Sequence, residues 1–584
     1  MLPVKKQKKN QKVWIRKQLQ KNWPYIAIII LVGLGVYFNS LSNGFVLDDF
    51  LQIVNNKQIH SMANLSGFLK GVTFGSLVDK SQVVVSYYRP LMILSFSIIY
   101  SLFGPNPFYF HLVQLFIHIA NSVIVFFLFL HFFTKKKSLF LSLIFLVHPV
   151  NVESVASIPA FQEVLYMFFG LLAIISTLSA KKKVSLYRYL TIFFLLLFSL
   201  FSKESGIIFV IIVVIQAFLL RNVNKFNIMI TAVFSVCSYA IFRLGFAGFS
   251  ISPLNVIIAP GNGIVEKFIN YPKMIFSYIQ VFTAPVHLVT SQVWTVRKIN
   301  LKDFYLPLFY DILIAIVIIG FGRYLFLKQR KWFGSYLLFL SCFLVGIVWH
   351  LNIDFLDAIV ADRWFYLPAV GALGLLGIFH ETLKIPNRIR QVGLLFIIII
   401  LVGLSIRTIV RTTNWKSTYS IVSHDIRYHK DNWWLQYALA SEYLKQKKYD
   451  HAIEHYVDSY KLSKNGKILS ELGIAYQARG REKDANDTFQ LLLKSEPGYW
   501  LGYLNYGYFV LGKNPQKAKE LAQKGLNLSP RNPQLLVLLS LTEYKLGNYD
   551  EAISIIEEAN SIAPDKKRLD TMNKLKKLKP VSKD

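Results

Sequence analysis

The chain has almost no cysteine. Cys237 and Cys342 are the two it carries among 584 residues, and each lies inside an apolar segment. That excludes a disulfide framework and a cysteine-based zinc site. Acid is scarce as well: 33 Asp and Glu stand against 65 Lys and Arg, a formal net charge of +32. So basic a chain suggests nucleic acid, but its cations sit in short loops between apolar runs and at both ends. That is the positive-inside pattern of a membrane protein plus a basic tail, so no nucleic-acid partner is expected. No Walker loop, dinucleotide fingerprint or nucleophile elbow occurs, and Gly261-Asn262-Gly263 reads only as a turn. The first apolar stretch (23–41) has no small-residue cleavage site after it, so it reads as an uncleaved spanning helix.

What the chain does hold is apolar surface. Its hydrophobic residues make up 54% and its aromatic residues 15% of the total, with a mean hydropathy of +0.41. Runs such as 25–37 and 392–405 are apolar on nearly every helical face, which a soluble domain cannot accommodate. Lysine and arginine stops then order the spans. Residues 1–22 carry eight basic residues and no acid, and form a basic cytoplasmic N-terminus. Residues 23–411 form the membrane domain, with a first outer loop at 42–89 and a long outer loop at 247–305. Crossings are expected at 24–41, 111–133, 138–149, 161–180, 187–201, 206–220, 227–246, 306–327, 333–349, 364–380 and 391–409. That is about eleven, with 90–104 half-inserted. Residues 412–432 are a linker.

The composition then turns soluble and helical, with a period of about 34 residues. In frame stand Leu439-Ala440 and Ala452, Leu472-Gly473 and Ala485, Tyr506-Gly507 and Ala518, Leu539-Ser540 and Ala552. Small residues at the eighth and twentieth places let paired helices approach closely, the tetratricopeptide pattern, here over 433–565. Residues 566–584 are a lysine-rich tail. The expected fold class is all-α: a polytopic membrane bundle followed by an α-solenoid.

Candidate chemistry gathers on one side of the membrane. Asp48 and Asp49 follow the first span, where an acid pair is costly unless solvated or used. They could cap a helix on a solvated loop, or supply a general base. They could also bind a divalent ion, magnesium or manganese, though two carboxylates alone make a poor cage. Arg89, after Tyr88 and before Pro90, could clamp a phosphate or simply snorkel at the interface. His148 and Glu153 lack the two-histidine helical spacing of a zinc peptidase. Lys203 beside Glu204 could be a self-neutralising pair, and Asp362-Arg363 with Tyr366 opens a span.

These residues resemble a known family. Gly44-Phe45-Val46-Leu47-Asp48-Asp49, Tyr88-Arg89-Pro90-Leu91, Asn106-Pro107 with His111-Leu112, and His148-Pro149-Val150 with Glu153-Ser154-Val155 stand in its order. Lys203-Glu204-Ser205-Gly206 and Asp362-Arg363-Trp364-Phe365-Tyr366-Leu367-Pro368 follow. With the terminal repeats, the whole chain resembles the transmembrane-and-tetratricopeptide-repeat O-mannosyltransferases, of GT-C-like fold, in a bacterial version. The resemblance implies a polyprenyl-phosphate-linked sugar donor, a protein Ser or Thr acceptor, and inversion at the anomeric carbon. Carried over, Asp48 or Asp49 would be the base, and Arg89, Lys203 and Arg363 would hold the lipid phosphate. Tyr88, His148, Glu153, Glu204, Asp362 and Tyr366 would support them. The chain departs where relatives carry a Gly-Arg-Ala-Asp-like stretch: here it reads Pro159-Ala160-Phe161-Gln162-Glu163.

Two other readings stay open: transfer to a lipid or surface glycan, and a non-catalytic membrane-anchored repeat scaffold for envelope assembly. A transporter is disfavoured, since no internal membrane repeat and few mid-span charges occur. The repeats would bind acceptor or partner proteins. Abundant Lys, Ile, Phe and Asn point to an A/T-rich bacterium, hence an inner-membrane protein with periplasmic repeats; in a eukaryote the repeats would face the ER lumen.

Overall fold

The computed structural model describes residues 3–70, 87–178, 185–220, 224–247, 264–290, 292, 294, 296, 298–351, 359–382 and 387–578. Parts of both outer loops and the end of the lysine-rich tail therefore lie outside the described residues. The chain divides into two compact units, Met1–Asp425 and Ile426–Asp584. The division falls inside the expected linker, of which 412–425 belongs to the first unit.

The first unit runs α1 (Pro3–Tyr37), α2 (Leu65–Lys70), α3 (Pro90–Phe103), α4 (Pro107–Leu130), α5 (Lys135–Val147) and α6 (Val152–Ala156). It continues with α7 (Phe161–Leu178), α8 (Leu186–Ser202), α9 (Ile207–Leu219), α10 (Lys225–Phe242) and α11 (Ile264–Thr283). The last five are α12 (Leu306–Lys328), α13 (Arg330–Val348), α14 (Tyr366–Thr382), α15 (Asn387–Asn414) and α16 (Thr418–Asp425). All eleven segments expected to cross contain a helix among the described residues. Eight of the described helices are long and apolar enough to span. A ninth span arises if α5 and α6, bent by 50° at His148-Pro149, count as one. Two further expected crossings, α8 and α9, are shorter apolar helices, as is α3 of 14 residues. The α3 helix begins at Pro90, whose ring presets the first turn, and stops at Gly104 with φ +68°. The long outer loop holds a helix with Pro272 inside it: α11 buries Met274, Tyr278 and Val281 and exposes Val265 and Phe268.

Apolar lipid gives helices little reason to associate, so close packing and side-chain hydrogen bonds must do it. Gln114 Nε2 donates to the Ser154 and Ser157 carbonyls at 2.7 Å, Asn121 Nδ2 to Val164 at 2.8 Å, and Thr408 Oγ1 to Val147 at 2.7 Å. At the α13–α14 crossing the backbones nearly touch. A Cβ on Gly371 would lie 2.5 Å from Phe343 N and 2.7 Å from Phe339 O.

The second unit is four helix pairs and a closing helix. They are α17 (Trp433–Lys445) with α18 (Tyr449–Leu462), α19 (Gly466–Arg479) with α20 (Glu482–Ser495), and α21 (Trp500–Val510) with α22 (Pro515–Leu528). The last are α23 (Pro533–Lys545) with α24 (Tyr549–Ile562), then α25 (Lys566–Leu578). Ala440, Ala452, Ala485, Ala518 and Ala552 are fully buried, as the small-residue places require. Where the fourth pair has Ser540, its hydroxyl donates to the Ala552 carbonyl at 2.6 Å, so the polar substitute is satisfied. Asn432, Asn465, Asn514 and Asn532 cap successive first helices or their partners by accepting from backbone N–H groups.

The α13–α14 contact yields a test. Gly371→Val should destabilise the detergent-solubilised protein by about 1–3 kcal/mol, because backbone rather than a flexible side chain is in the way. Thermal unfolding followed by fluorescence reads this; a melt identical to wild type would show that the helices can separate at no cost.

Candidate active site

The first loop is shaped by its own backbone. Val46 to Asp49 closes a turn: the Asp49 N–H donates to the Val46 carbonyl at 3.0 Å, and the Val46 N–H donates to Asp49 Oδ2 at 2.6 Å. Between them Leu47 takes φ +49°, which costs a branched side chain about 1–3 kcal/mol and persists only when held from outside. It is held. The Leu47 N–H donates to Thr418 Oγ1 at 3.1 Å, the Gly44 N–H to the Lys416 carbonyl at 3.2 Å, and Asn43 Nδ2 to the Thr412 carbonyl at 3.3 Å. The turn separates the two acids. Asp49 is fully buried, and Asp48 is exposed. Burial pushes the Asp49 carboxyl well above its ordinary range, opposed by the Val46 amide and reinforced by Asp48. Among the described residues no three His, Cys, Asp or Glu side chains form a metal cage.

Each of the three expected phosphate-binding cations already holds a carboxylate. Arg89 Nε donates to Glu204 Oε2 at 2.8 Å, its Nη1 donates to Gln162, and its guanidinium lies over the Tyr87 ring at 4.1 Å. Lys203 Nζ donates to Glu163 Oε1 at 2.5 Å. Arg363 donates to Glu153 through Nη1 and, at 3.0 Å, through its backbone N–H. Lys203 and Glu204 are thus not a self-neutralising pair. Lys203 is extended (φ −158°, ψ 142°), so the two neighbouring side chains diverge to different helices. Gly206 makes that turn possible, since a Cβ there would lie 2.6 Å from the Leu200 N of α8. Lys203 is within electrostatic reach of both Arg89 and Arg363, and Arg363 of Asp48. The sequence-distant motifs therefore form one cluster.

The supporting residues divide into two kinds. Tyr88 is buried, and its N–H donates to Glu204 Oε1 at 2.8 Å, fixing the carboxylate that faces Arg89. Asp362 is buried near Glu153, Arg363 and Arg411, with Oδ1 unpartnered among the described residues. His148 and Tyr366 bond between helices. His148 Nε2 donates to the Phe282 carbonyl at 2.9 Å and Nδ1 accepts from Val150 N–H at 3.2 Å, so it pins the α5–α6 bend to α11. The Tyr366 hydroxyl meets His118 Nδ1 at 2.6 Å inside the bundle. Sequence reasoning missed Gln162 and Glu163 as partners, although both lie in the stretch where the chain departs from its resemblance. It missed Arg411 too. That guanidinium donates to Asp425 Oδ1 at 2.8 Å, and Asp425 Oδ2 accepts from Thr290 N–H and Oγ1 at 2.8 and 2.9 Å. Burial raises the Asp425 carboxyl, but Arg411, His424 and Thr290 together bring it down to about 2.

Fold and site together define a multi-pass, all-helical membrane protein that carries a tetratricopeptide array and a paired-charge cluster. Comparison with known proteins agrees. A tetratricopeptide-repeat family model matches residues 511–572. Along nine-tenths of its length the chain is similar to the TMTC-type protein O-mannosyl-transferases. Human Protein O-mannosyl-transferase TMTC3 is 23% identical, over 91% of this chain and 67% of that one. The Caenorhabditis elegans Protein O-mannosyl-transferase F38B6.6 is 24% identical over 81% and 63%. Human TMTC1 reaches 31% identity, over 34% of this chain and 24% of that protein. The chain spans about two thirds of the length of the first two relatives. The solved tetratricopeptide protein YrrB matches 28% of this chain at 15% identity with a TM-score of 0.23, too low to bear on the fold.

Two tests follow from these pairs. Lys203→Met should cost about 3–5 kcal/mol by stranding buried Glu163, and Lys203→Met with Glu163→Leu should recover most of it. Thermal melts of the single and double variants read the difference; equal losses would show that the pair is not coupled. The second test concerns pH. Asp425 titrates near 3.8 when unpaired and near 2 here. A depressed carboxyl stabilises at pH above its unfolded value and loses that contribution as pH falls through its folded one. Hydrogen exchange of α16, corrected for intrinsic rate, should stay protected from neutral pH to 3.8 and open toward 2. In Asp425→Asn it should be unprotected already at neutral pH.

Proposed function

We propose that this protein is a membrane glycosyltransferase that moves a sugar, mannose in the first instance, from a polyprenyl-phosphate donor to Ser or Thr of proteins. The single observation that carries the reading is the geometry of the first loop. A strained, externally stapled turn buries Asp49 and exposes Asp48, beside a cluster containing Arg363, Lys203 and Arg89. The similarity to O-mannosyl-transferases suggests the reaction, and the geometry supports the parts given to each residue below.

In this reading Asp48 is the general base. It takes the proton of the acceptor hydroxyl while that oxygen bonds to the anomeric carbon. The bond from that carbon to the phosphate oxygen breaks, and its electron pair leaves with the lipid phosphate. One in-line displacement inverts the centre. Arg363 is the first phosphate ligand, since its side chain is 27% exposed where Lys203 is 7%. Arg89 and Lys203 add positive field to the charge that develops. Asp49 is a positioning residue, closing the turn that presents Asp48. The first loop and cluster stand at the outer face of the membrane, in a GT-C-like arrangement. The repeats present acceptor or partner proteins. Near the closing helix they form an open depression of about 380 Å³ lined by Leu501, Leu504, Tyr508, Val537 and Arg568.

The test is transfer of labelled sugar from polyprenyl-phosphate-mannose to protein in membranes. Asp48→Asn should lose about 10²–10⁴-fold in rate with wild-type folding, the range for removing a general base. Asp49→Ala, which removes the acceptor of the Val46 N–H, should instead lower the yield of folded protein. Full activity in Asp48→Asn would remove it as the base. No transfer by wild type from any lipid-linked sugar would leave the scaffold reading in its place.

A further inference from the structure

His350 stands outside every motif read from the sequence. It follows the end of α13, is 3% exposed, and stacks on Trp364 at 5.2 Å and 16° between ring planes. Trp364 is the neighbour of Arg363. Nδ1 of His350 lies 2.8 Å from the Gly346 carbonyl, and a carbonyl only accepts, so the proton sits on Nδ1. Nε2 then presents a lone pair. It is buried and has no hydrogen-bond partner among the described residues. Burial lowers the affinity of the ring for a second proton well below the ordinary range, and nearby Lys203 and Arg363 push the same way. The ring stays neutral. A buried acceptor left unmade costs more than a made bond returns, so its retention beside two cations points to a ligand.

That ligand has to offer a hydrogen-bond donor at Nε2 while carrying an anion for Lys203 and Arg363. A phosphodiester alone fails the first condition, having no proton to give. A hydroxylated ring joined to a phosphate meets both. Resting on the donor class proposed above, we infer that His350 determines sugar specificity by accepting, at Nε2, a hydrogen bond from a hydroxyl of the donor sugar. It touches the sugar rather than the leaving group, and Trp364 fixes its plane.

Binding of two lipids to the purified full chain tests this: polyprenyl-phosphate-mannose, and polyprenyl phosphate without sugar. His350→Phe keeps the stack on Trp364 and removes the acceptor. It should weaken the sugar-bearing lipid about tenfold and leave the bare phosphate lipid unchanged. His350→Gln, which returns an acceptor near the Nε2 position, should restore most of the loss. Equal weakening of both lipids by His350→Phe would assign the residue to the phosphate or to folding and overturn the inference. So would no weakening of either. Wild type that fails to bind the sugar-bearing lipid would overturn the donor assignment itself, a result distinct from any change confined to the variants.

Discussion

A charge inside an apolar body has to be neutralised by the protein, because lipid offers neither water nor counter-ion. Arg89 with Glu204, Lys203 with Glu163, Arg363 with Glu153 and Arg411 with Asp425 meet that demand one to one. Each bond joins segments separated in the sequence, the Arg363–Glu153 pair by 210 residues. The pairs therefore fix how α3, α7, α8, α14 and α15 are arranged around the site. Breaking one strands a buried partner, so the residues that would handle an anion are also those that hold the bundle together.

The first loop depends on the same arrangement from the other side. Leu47 would not keep a positive φ by itself; it does so because Thr412 of α15, Lys416 of the following turn and Thr418 at the start of α16 accept hydrogen bonds from Asn43, Gly44 and Leu47. That turn is in turn anchored by the Arg411–Asp425 pair, whose carboxylate also receives Thr290. Presentation of Asp48 thus rests on a chain of contacts running from the last membrane helix to the loop after the first. Its position is set by tertiary structure rather than by the acid pair's own sequence.

This is also why the site was only half legible. Apolar runs and basic stops revealed the membrane helices, since hydropathy is a property of a segment alone. The repeats were legible in their period, and Ala440, Ala452, Ala485, Ala518 and Ala552 lie buried where that period places them. Partner choice is not a property of a segment. Lys203 and Glu204 look like a pair until the extended backbone turns them apart. Glu163, Gln162 and His350 lie within or beside apolar helices, where a polar residue most often satisfies its own neighbourhood. The α11 helix lies in what reads from sequence only as a long outer loop, with Pro272 inside it.

One-to-one pairing raises the question of which cation is left for a phosphate. The side-chain chemistry resolves this. A guanidinium has five donors in a fixed fork, so it can serve a carboxylate and a phosphate together, whereas an ammonium is a single point charge. Arg363 spends Nη1 on Glu153, and Arg89 spends Nε and Nη1 on Glu204 and Gln162. Among the described residues Nη2 of each remains uncommitted. Lys203, held against fully buried Glu163, has less to give and contributes field more than contact. An arriving anion would then add to the network instead of dismantling it. The carboxylates keep the arginines oriented while the site is empty, which spares the reorganisation that free side chains would require on binding. Where the family resemblance leads one to expect an arginine and an aspartate, Gln162 and Glu163 perform that orienting role for Arg89 and Lys203.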